Sequence, residues 1–287
     1  MFPKVPDHHK PNKPLVPNGL GVIYVLASAA YLFFLHYYEE PKVSGNVSPA
    51  LTLAVCILFG GFMGLLDDWL DLRWRYKAFF PLIAAIPLIS LAQGLRTSIT
   101  IPLLGPVRFY EFYYFVIIPL IVTVTTNTVN QLGGLNGLET ICPAIVMIGL
   151  MPFSGTNAVL LFAPLIVWLL LAFFNFRGKI FVGNTGSFAI GTTLAAFAII
   201  SDLKSDLLVS LLPYIFNSSL ILLTYFFFRA RANASFNGEK LLSDHRRSLI
   251  TVITYHRPLT ERQVVLIISA LVAVSTSAEL LIHWLWP

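Results

Sequence analysis

Residues 50–77 read ALTLAVCILFGGFMGLLDDWLDLRWRYK. The first seventeen carry no charge; three Asp, two Arg and one Lys then crowd into the next eleven positions. An apolar run of that length nearly spans the hydrocarbon core of a bilayer, which takes about 20 residues as a helix. Carboxylates at a membrane interface are tolerated when cations neutralise them. Here Arg73, Arg75 and Lys77 follow Asp67, Asp68 and Asp71 at once. The stretch reads as a membrane helix that ends in a chemically loaded edge. Asp67 and Asp71 are spaced to share a face if the helix continues through them.

The rest of the chain repeats the first half of that pattern. Apolar runs also occupy 19–38, 78–95, 112–129, 140–152, 157–174, 187–200, 206–228 and 263–285, which makes nine. Charged residues are 11% of the 287, hydrophobic residues 56%, and the mean hydropathy is +0.76. A soluble domain carries about 25% charged residues. One soluble core could not bury this much apolar surface. Soluble enzymes, disordered chains and disulfide scaffolds are excluded; Cys56 and Cys142 lie in apolar runs and read as core residues. The expectation is an all-α polytopic membrane protein with about nine transmembrane helices, forming a single domain over 1–287. The short runs 140–152 and 187–200 predict tilted, broken or shielded helices. The polar, Pro-rich opening MFPKVPDHHKPNKP does not have the form of a cleavable signal.

Nine spans place the loops alternately on two sides. Fifteen of the nineteen Lys and Arg fall on the side of the N-terminus and four on the other. The positive-inside rule then puts the N-terminus in the cytoplasm. The net charge of +5 is read as this loop bias, and no nucleic-acid partner is expected. The polar chemistry gathers on the same side, in segments 3–18, 67–77, 127–139, 175–186 and 229–262. On the other side, TSITIPLLGPVRFY predicts a small hairpin.

Each of those segments has a plain reading and a chemical one. DDWLDLRWRYK is either a charge-balanced loop or an oxygen-ligand Mg²⁺ site with cations for phosphates. TNTVNQLGGLNGLE, with Asn127, Asn130, Asn136, Gly134 and Glu139, is either a capped helix break or a place where backbone approaches a ligand. In FNFRGKIFVGNTGSFAIG, Asn184, Thr185 or Ser187 can cap a helix whose N–H groups would suit phosphate. RARANASFNGEKL opens the longest loop, 229–262, and Asn237-Gly238 predicts a short hairpin. His8, His9, His245 and His256 lie in loops, where solvated histidines are common; His245 and His256 are also candidates for phosphate contact.

In order along the chain, these segments resemble the polyprenyl-phosphate N-acetylhexosamine-1-phosphate transferase family, and within it the UDP-GlcNAc:dolichyl-phosphate branch. DDWLDLRWRYKAFFPLIAAIPL looks like that branch's DDxxxLRWRxKxxxP…PL block. TNTVNQLGGLNGLE resembles TNAIN…GINGLE, FVGNTGS resembles FVGDT, and DHHKPNKPLVPNGLGVI resembles an opening DxxK…P…GVI loop. The resemblance implies transfer of GlcNAc-1-phosphate from UDP-GlcNAc to a polyprenyl or dolichyl phosphate, releasing UMP. It assigns catalysis to Asp67 and Asp68, a phosphate contact to Lys77, and Mg²⁺ (or Mn²⁺) binding to Asn130 and Asn184. It implies uracil contacts at Asn136, Gly134 and Phe181, and diphosphate contacts at Arg229 and Arg231. The implied setting is a lipid bilayer: an archaeal-type cell membrane, or the ER in a eukaryote. A homodimer is admitted.

The chain departs from the family in three ways. It starts at the DxxK loop, where ten-span members have an earlier helix. Asn184 stands for the Asp of GDT, which removes a charge from the metal ligands. Ala230 stands for the histidine of an R-H-R run, and His245 or Arg246 are candidates for its role. Two alternatives stay open: transfer from another UDP-N-acetylhexosamine, as in cell-wall translocases, and a transporter or lipid flippase.

Overall fold

The computed structural model describes residues 2–38, 47–91, 96–101, 105–230 and 234–285. Its helices are α1 (Gly21–Tyr38), α2 (Pro49–Leu70), α3 (Trp74–Ala84), α4 (Ile86–Leu91), α5 (Ile118–Gln131) and α6 (Leu138–Leu150). They continue with α7 (Phe162–Phe176), α8 (Gly183–Ile200), α9 (Lys204–Ser210), α10 (Leu212–Leu223), α11 (Leu249–Ile253) and α12 (Glu261–Leu285). A π turn, Tyr113–Ile117, leads into α5, and another, Thr224–Phe228, extends α10. Three antiparallel hairpins join them: β1 (Lys4–Pro6) with β2 (Leu15–Pro17), β3 (Ser98–Ile101) with β4 (Gly105–Arg108), and β5 (Ser235–Phe236) with β6 (Leu241–Leu242). The last two are the hairpins expected from the sequence. The first, inside the Pro-rich opening, was not.

Every apolar run contains helix, but the runs are not alike. Among the described residues, six stretches are long and apolar enough to cross a membrane: Gly21–Tyr38, Pro49–Leu70, Tyr113–Gln131, Gly155–Phe176, Gly183–Ile200 and Glu261–His283. The chain is a multi-pass helical membrane protein. The other three runs are shortened or broken, each beside a proline. Run 78–95 stops at Ala85, between α3 and α4. Pro87, the second residue of α4, has no N–H for the Ile83 carbonyl, and its ring crowds that turn. Run 206–228 bends by 62° between α9 and α10. Pro213 removes the donor to the Val209 carbonyl, and the Ser275 hydroxyl donates to that carbonyl instead, at 2.6 Å. α6 carries Pro143 and is followed by a 3₁₀ turn, Met151–Phe153.

α8 forms the centre of the bundle. It is buried around almost its whole circumference, as a helix apolar on all sides requires. α1, α2 and α5 pack directly on it. Contact with α2 is backbone to backbone: a side chain at Gly64 would lie 2.2 Å from the Asn184 carbonyl oxygen. That approach sets the last turn of α2, with its two Asp residues, against the first turn of α8.

Candidate active site

Asp67 and Asp68 end α2 and face different surroundings. Asp67 is 1% exposed. Its Oδ1 accepts from the Leu72 N–H at 3.2 Å and pairs with Lys77 Nζ at 2.9 Å. Its Oδ2 is buried and has no hydrogen-bond partner among the described residues. Asp68 Oδ1 accepts from the Asn184 N–H at 2.9 Å, and Oδ2 accepts from the Thr185 N–H at 2.9 Å and its hydroxyl at 2.7 Å. The carboxylate of Asp68 thus caps α8 from another helix, where both orphan N–H groups and the helix dipole favour an anion. This corrects the expectation that α8 caps itself and keeps its N–H groups for phosphate. Asp71 does not share a face with Asp67. It leaves α2 in a left-handed conformation (φ 44°), exposed, with Lys77 Nζ 4.0 Å away.

Asn130, at the end of α5, joins the same cluster. Its Oδ1 accepts from the Ser187 hydroxyl at 2.9 Å, and that hydroxyl lies 3.3 Å from the Asn184 carbonyl. Asn127 turns away and donates to the Ala78 carbonyl, tying α5 to α3. Gly183 has φ +70°, and a side chain there would meet Asp68 Oδ2 at 2.8 Å and Asn18 Oδ1 at 3.0 Å. Only glycine satisfies both the backbone and the crowding.

A second cluster centres on Asn136, which is 3% exposed. Its amide nitrogen donates to Asp7 at 2.8 Å and to Glu261 Oε1 at 3.0 Å, and its backbone N–H donates to Glu261 Oε1 at 2.7 Å. Lys10 Nζ pairs with Glu261 Oε2 at 2.8 Å. The Asn136 carbonyl oxygen is left buried and unpartnered among the described residues. Asn175, from α7, sews this loop to the next: it accepts from the Gly137 N–H and donates to the Ile180 carbonyl. Its amide also reaches Glu139 at 3.3 Å.

The N-terminal segment bridges the two clusters. Asp7 binds Asn136 at one end, and Asn18 and Gly19 lie against Gly183 at the other. Between them, the Phe181 N–H donates to the Pro17 carbonyl, and Leu20 donates back to the Phe181 carbonyl. Phe181 is therefore held through its backbone beside the Asn175 linkage, half-buried. Gly134 has φ +104° and open space where a side chain would be. It lines a cleft of about 790 Å³ with His8, His9, Lys13, Tyr225 and Phe236. Arg229 is exposed at the end of the second π turn, next to Ala230 in the cleft wall. Arg231 lies outside the described residues.

Asp7, Lys10, Glu261 and Asn175 carry this geometry and were not singled out from the residues themselves. The DxxK resemblance pointed to the first two. Glu261, an acid opening an apolar run, was the available signal for the third. His245 lies beside Ser243, and His256 is exposed against Tyr255; neither belongs to a cluster above.

Residues 50–202 match the model of glycosyl transferase family 4. The chain is 32% identical, over 93% of its length and 84% of the relative's, to a provisionally named UDP-N-acetylglucosamine–dolichyl-phosphate N-acetylglucosaminephosphotransferase of Saccharolobus solfataricus. It is 30% identical to the Saccharomyces cerevisiae protein of that function name over 29% of this chain and 25% of the relative. A phospho-N-acetylmuramoyl-pentapeptide-transferase of Streptococcus uberis is 29% identical over 78% of this chain and 71% of its own. The motifs that build both clusters fall largely inside the matched region, and the chain belongs to glycosyl transferase family 4.

Proposed function

We propose that the protein transfers GlcNAc-1-phosphate from UDP-GlcNAc to a polyprenyl, dolichyl-type phosphate, giving lipid-diphosphate-GlcNAc and UMP. The observation that carries this reading is the division of labour between Asp67 and Asp68. Asp68 is committed to the α8 N-terminus, whereas Asp67 presents a buried, unpartnered oxygen next to Lys77. The relatives named above support the donor and acceptor.

A phosphate oxygen of the lipid attacks the β-phosphorus of UDP-GlcNAc, and the bond from that phosphorus to the bridging oxygen breaks, so UMP leaves. Such a transfer needs positioning and charge neutralisation more than covalent help. Asp67 positions the lipid phosphate in line through the cations it holds, Lys77 first among them; with a second pKa near 6 that phosphate is already mostly dianionic at neutral pH, so base assistance adds little. Lys77, Arg229 and Arg231 take phosphate charge. Asn136 reads the uracil edge through its unpartnered carbonyl oxygen, with Gly134 and Phe181 on the base faces. The oxygens of Asp67, Asn130 and Asn184 fit a hard divalent cation, and Mg²⁺ or Mn²⁺ there would neutralise the diphosphate.

We read the nine apolar runs as nine membrane crossings, with the broken ones shielded by neighbours, and the whole chain as one transferase unit. The distribution of Lys and Arg supports a cytoplasmic N-terminus and a cytoplasmic-face site. An archaeal-type cell membrane fits the similarity to the Saccharolobus protein. The test is UMP release by the purified chain in detergent with dolichyl phosphate and UDP-GlcNAc. UMP production dependent on both substrates is expected; its absence overturns the proposal. The Streptococcus uberis relative makes UDP-MurNAc-pentapeptide the comparison donor, and its preference over UDP-GlcNAc would shift the reading to the cell-wall type.

A further inference from the structure

The far end of the bundle carries a cluster that the transferase reading does not use. α12 starts at Glu261, which binds Asn136, and Glu279 lies 18 residues further on. At 1.5 Å per helical residue, that is about 27 Å from the Asn136 cluster. There, ligand atoms of Asp206, Glu279 and His283 all lie within 4.8 Å of one another. His283 Nδ1 is 2.6 Å from Asp206 Oδ1, and the imidazole stacks on Phe153 with ring centres 4.0 Å apart. Asp206 stands in α9, beside the 62° bend, and Glu279 and His283 share one face of α12 four residues apart.

Glu279 is the telling residue. It is 1% exposed, and among the described residues no N–H or hydroxyl donates to either side-chain oxygen; its polar neighbour is the carboxyl group of Asp206. Lys204, the cation nearest in sequence to Asp206, is occupied by Asp202 and by the Arg96 carbonyl. The described salt bridges include none from Lys or Arg to Glu279. A buried carboxylate beside a second carboxylate is strongly unfavourable unless a cation compensates it or a proton neutralises it. Gly149 of α6 packs closely on the same face: a side chain there would lie 2.0 Å from Thr276 Cγ2 and 3.9 Å from Glu279 Oε2.

We propose that Asp206, Glu279 and His283 bind a divalent transition-metal ion, of which Zn²⁺ is the best match. One imidazole with two carboxylates is a borderline donor set, which suits Zn²⁺ better than Mg²⁺. Three protein ligands leave a fourth position for water. Because the ligands come from α9 and α12, the ion clips the bent span to the last helix and stabilises the folded bundle.

The test uses the full chain in detergent, stripped with chelator and titrated with ZnCl₂. Wild type is expected to take up one Zn²⁺ that Glu279→Gln and His283→Gln do not, with affinity lower by about 100-fold or more in each, since even outer-shell partners are worth 10–100-fold. Zn²⁺ should raise the Tm of wild type and leave that of the variants unmoved. Should Glu279→Gln fail to fold, the partly exposed His283→Gln supplies the comparison. Equal Zn²⁺ uptake by wild type and variants overturns the proposal. So does no uptake together with an infrared carboxylic-acid band that disappears in Glu279→Gln, which would mean that Glu279 is a protonated partner of Asp206. Binding is read without turnover, so the result stands apart from the transferase assignment.

Discussion

The two halves of the candidate active site are held by different means. Asp67 and Asp68 stand on a helix whose backbone touches α8 at Gly64, and Asp68 is locked by three hydrogen bonds to the first turn of α8. Asn136 stands in a loop, and Asp7 and Glu261 reach it from 129 and 125 residues away in the chain. The helix-borne half is fixed by backbone packing and, in the proposed function, would set where the reacting phosphates lie. The loop-borne half depends on charge-assisted bonds, each worth about 1.5–3 kcal/mol. Damage to the first should appear in kcat, and damage to the second in KM.

The largest effect is expected at the helix-borne pair. Asp67→Asn and Asp68→Asn should each lower kcat by about 100-fold or more, the scale of losing one preorganised electrostatic contact. The KM for UDP-GlcNAc should change little. UMP release under saturating donor measures both, and near-wild-type turnover in both variants would break the assignment.

Phe181 comes next. If its ring stacks on uracil, Phe181→Ala removes about 1–3 kcal/mol and raises the KM for UDP-GlcNAc by roughly 5- to 150-fold. Competition by free uridine should weaken in parallel. Uridine that inhibits variant and wild type equally would place the base elsewhere.

Glu261→Gln tests the loop-borne clamp. The amide keeps an acceptor for Asn136 but loses the charge shared with Lys10. A tenfold rise in KM, about 1.4 kcal/mol, is expected with kcat nearly intact. A fall in kcat alone would mean that the clamp positions the reacting end, and the contrast between the halves would not hold.

The smallest effect sharpens the metal question. Asn184 stands where the FVGDT block that this chain resembles has Asp, and in the proposed function its amide oxygen is an uncharged ligand. Asn184→Asp should lower the Mg²⁺ concentration for half-maximal activity by a few-fold, because added charge strengthens a hard-cation site. Asn184→Ala should raise it. Superimposable Mg²⁺ titrations of the three proteins would leave Asn184 with only its backbone bond to Asp68.

Much of the bundle was legible along the chain because apolarity is a local property. The run ending at Asp67 becomes α2, and the Asn237-Gly238 turn becomes the β5–β6 hairpin. The breaks at Ala85 and Leu211 were also written locally, in Pro87 and Pro213, but the length of each run outweighed them. The opening segment was legible only in part: its polar character and DxxK pattern showed along the chain, whereas the pairing of β1 with β2 across its prolines did not.

Sequence by itself determined the membrane class and the largely helical content, since composition and periodicity follow from the solvent each segment must face. Tertiary structure alone decided the partners. That Asp68 caps α8 rather than facing phosphate depends on a backbone approach between helices more than a hundred residues apart. That Glu279 meets Asp206 depends on where a bent span turns. Hydrogen bonds and ion pairs act over a few ångströms, so their choice is made only once packing has set those distances.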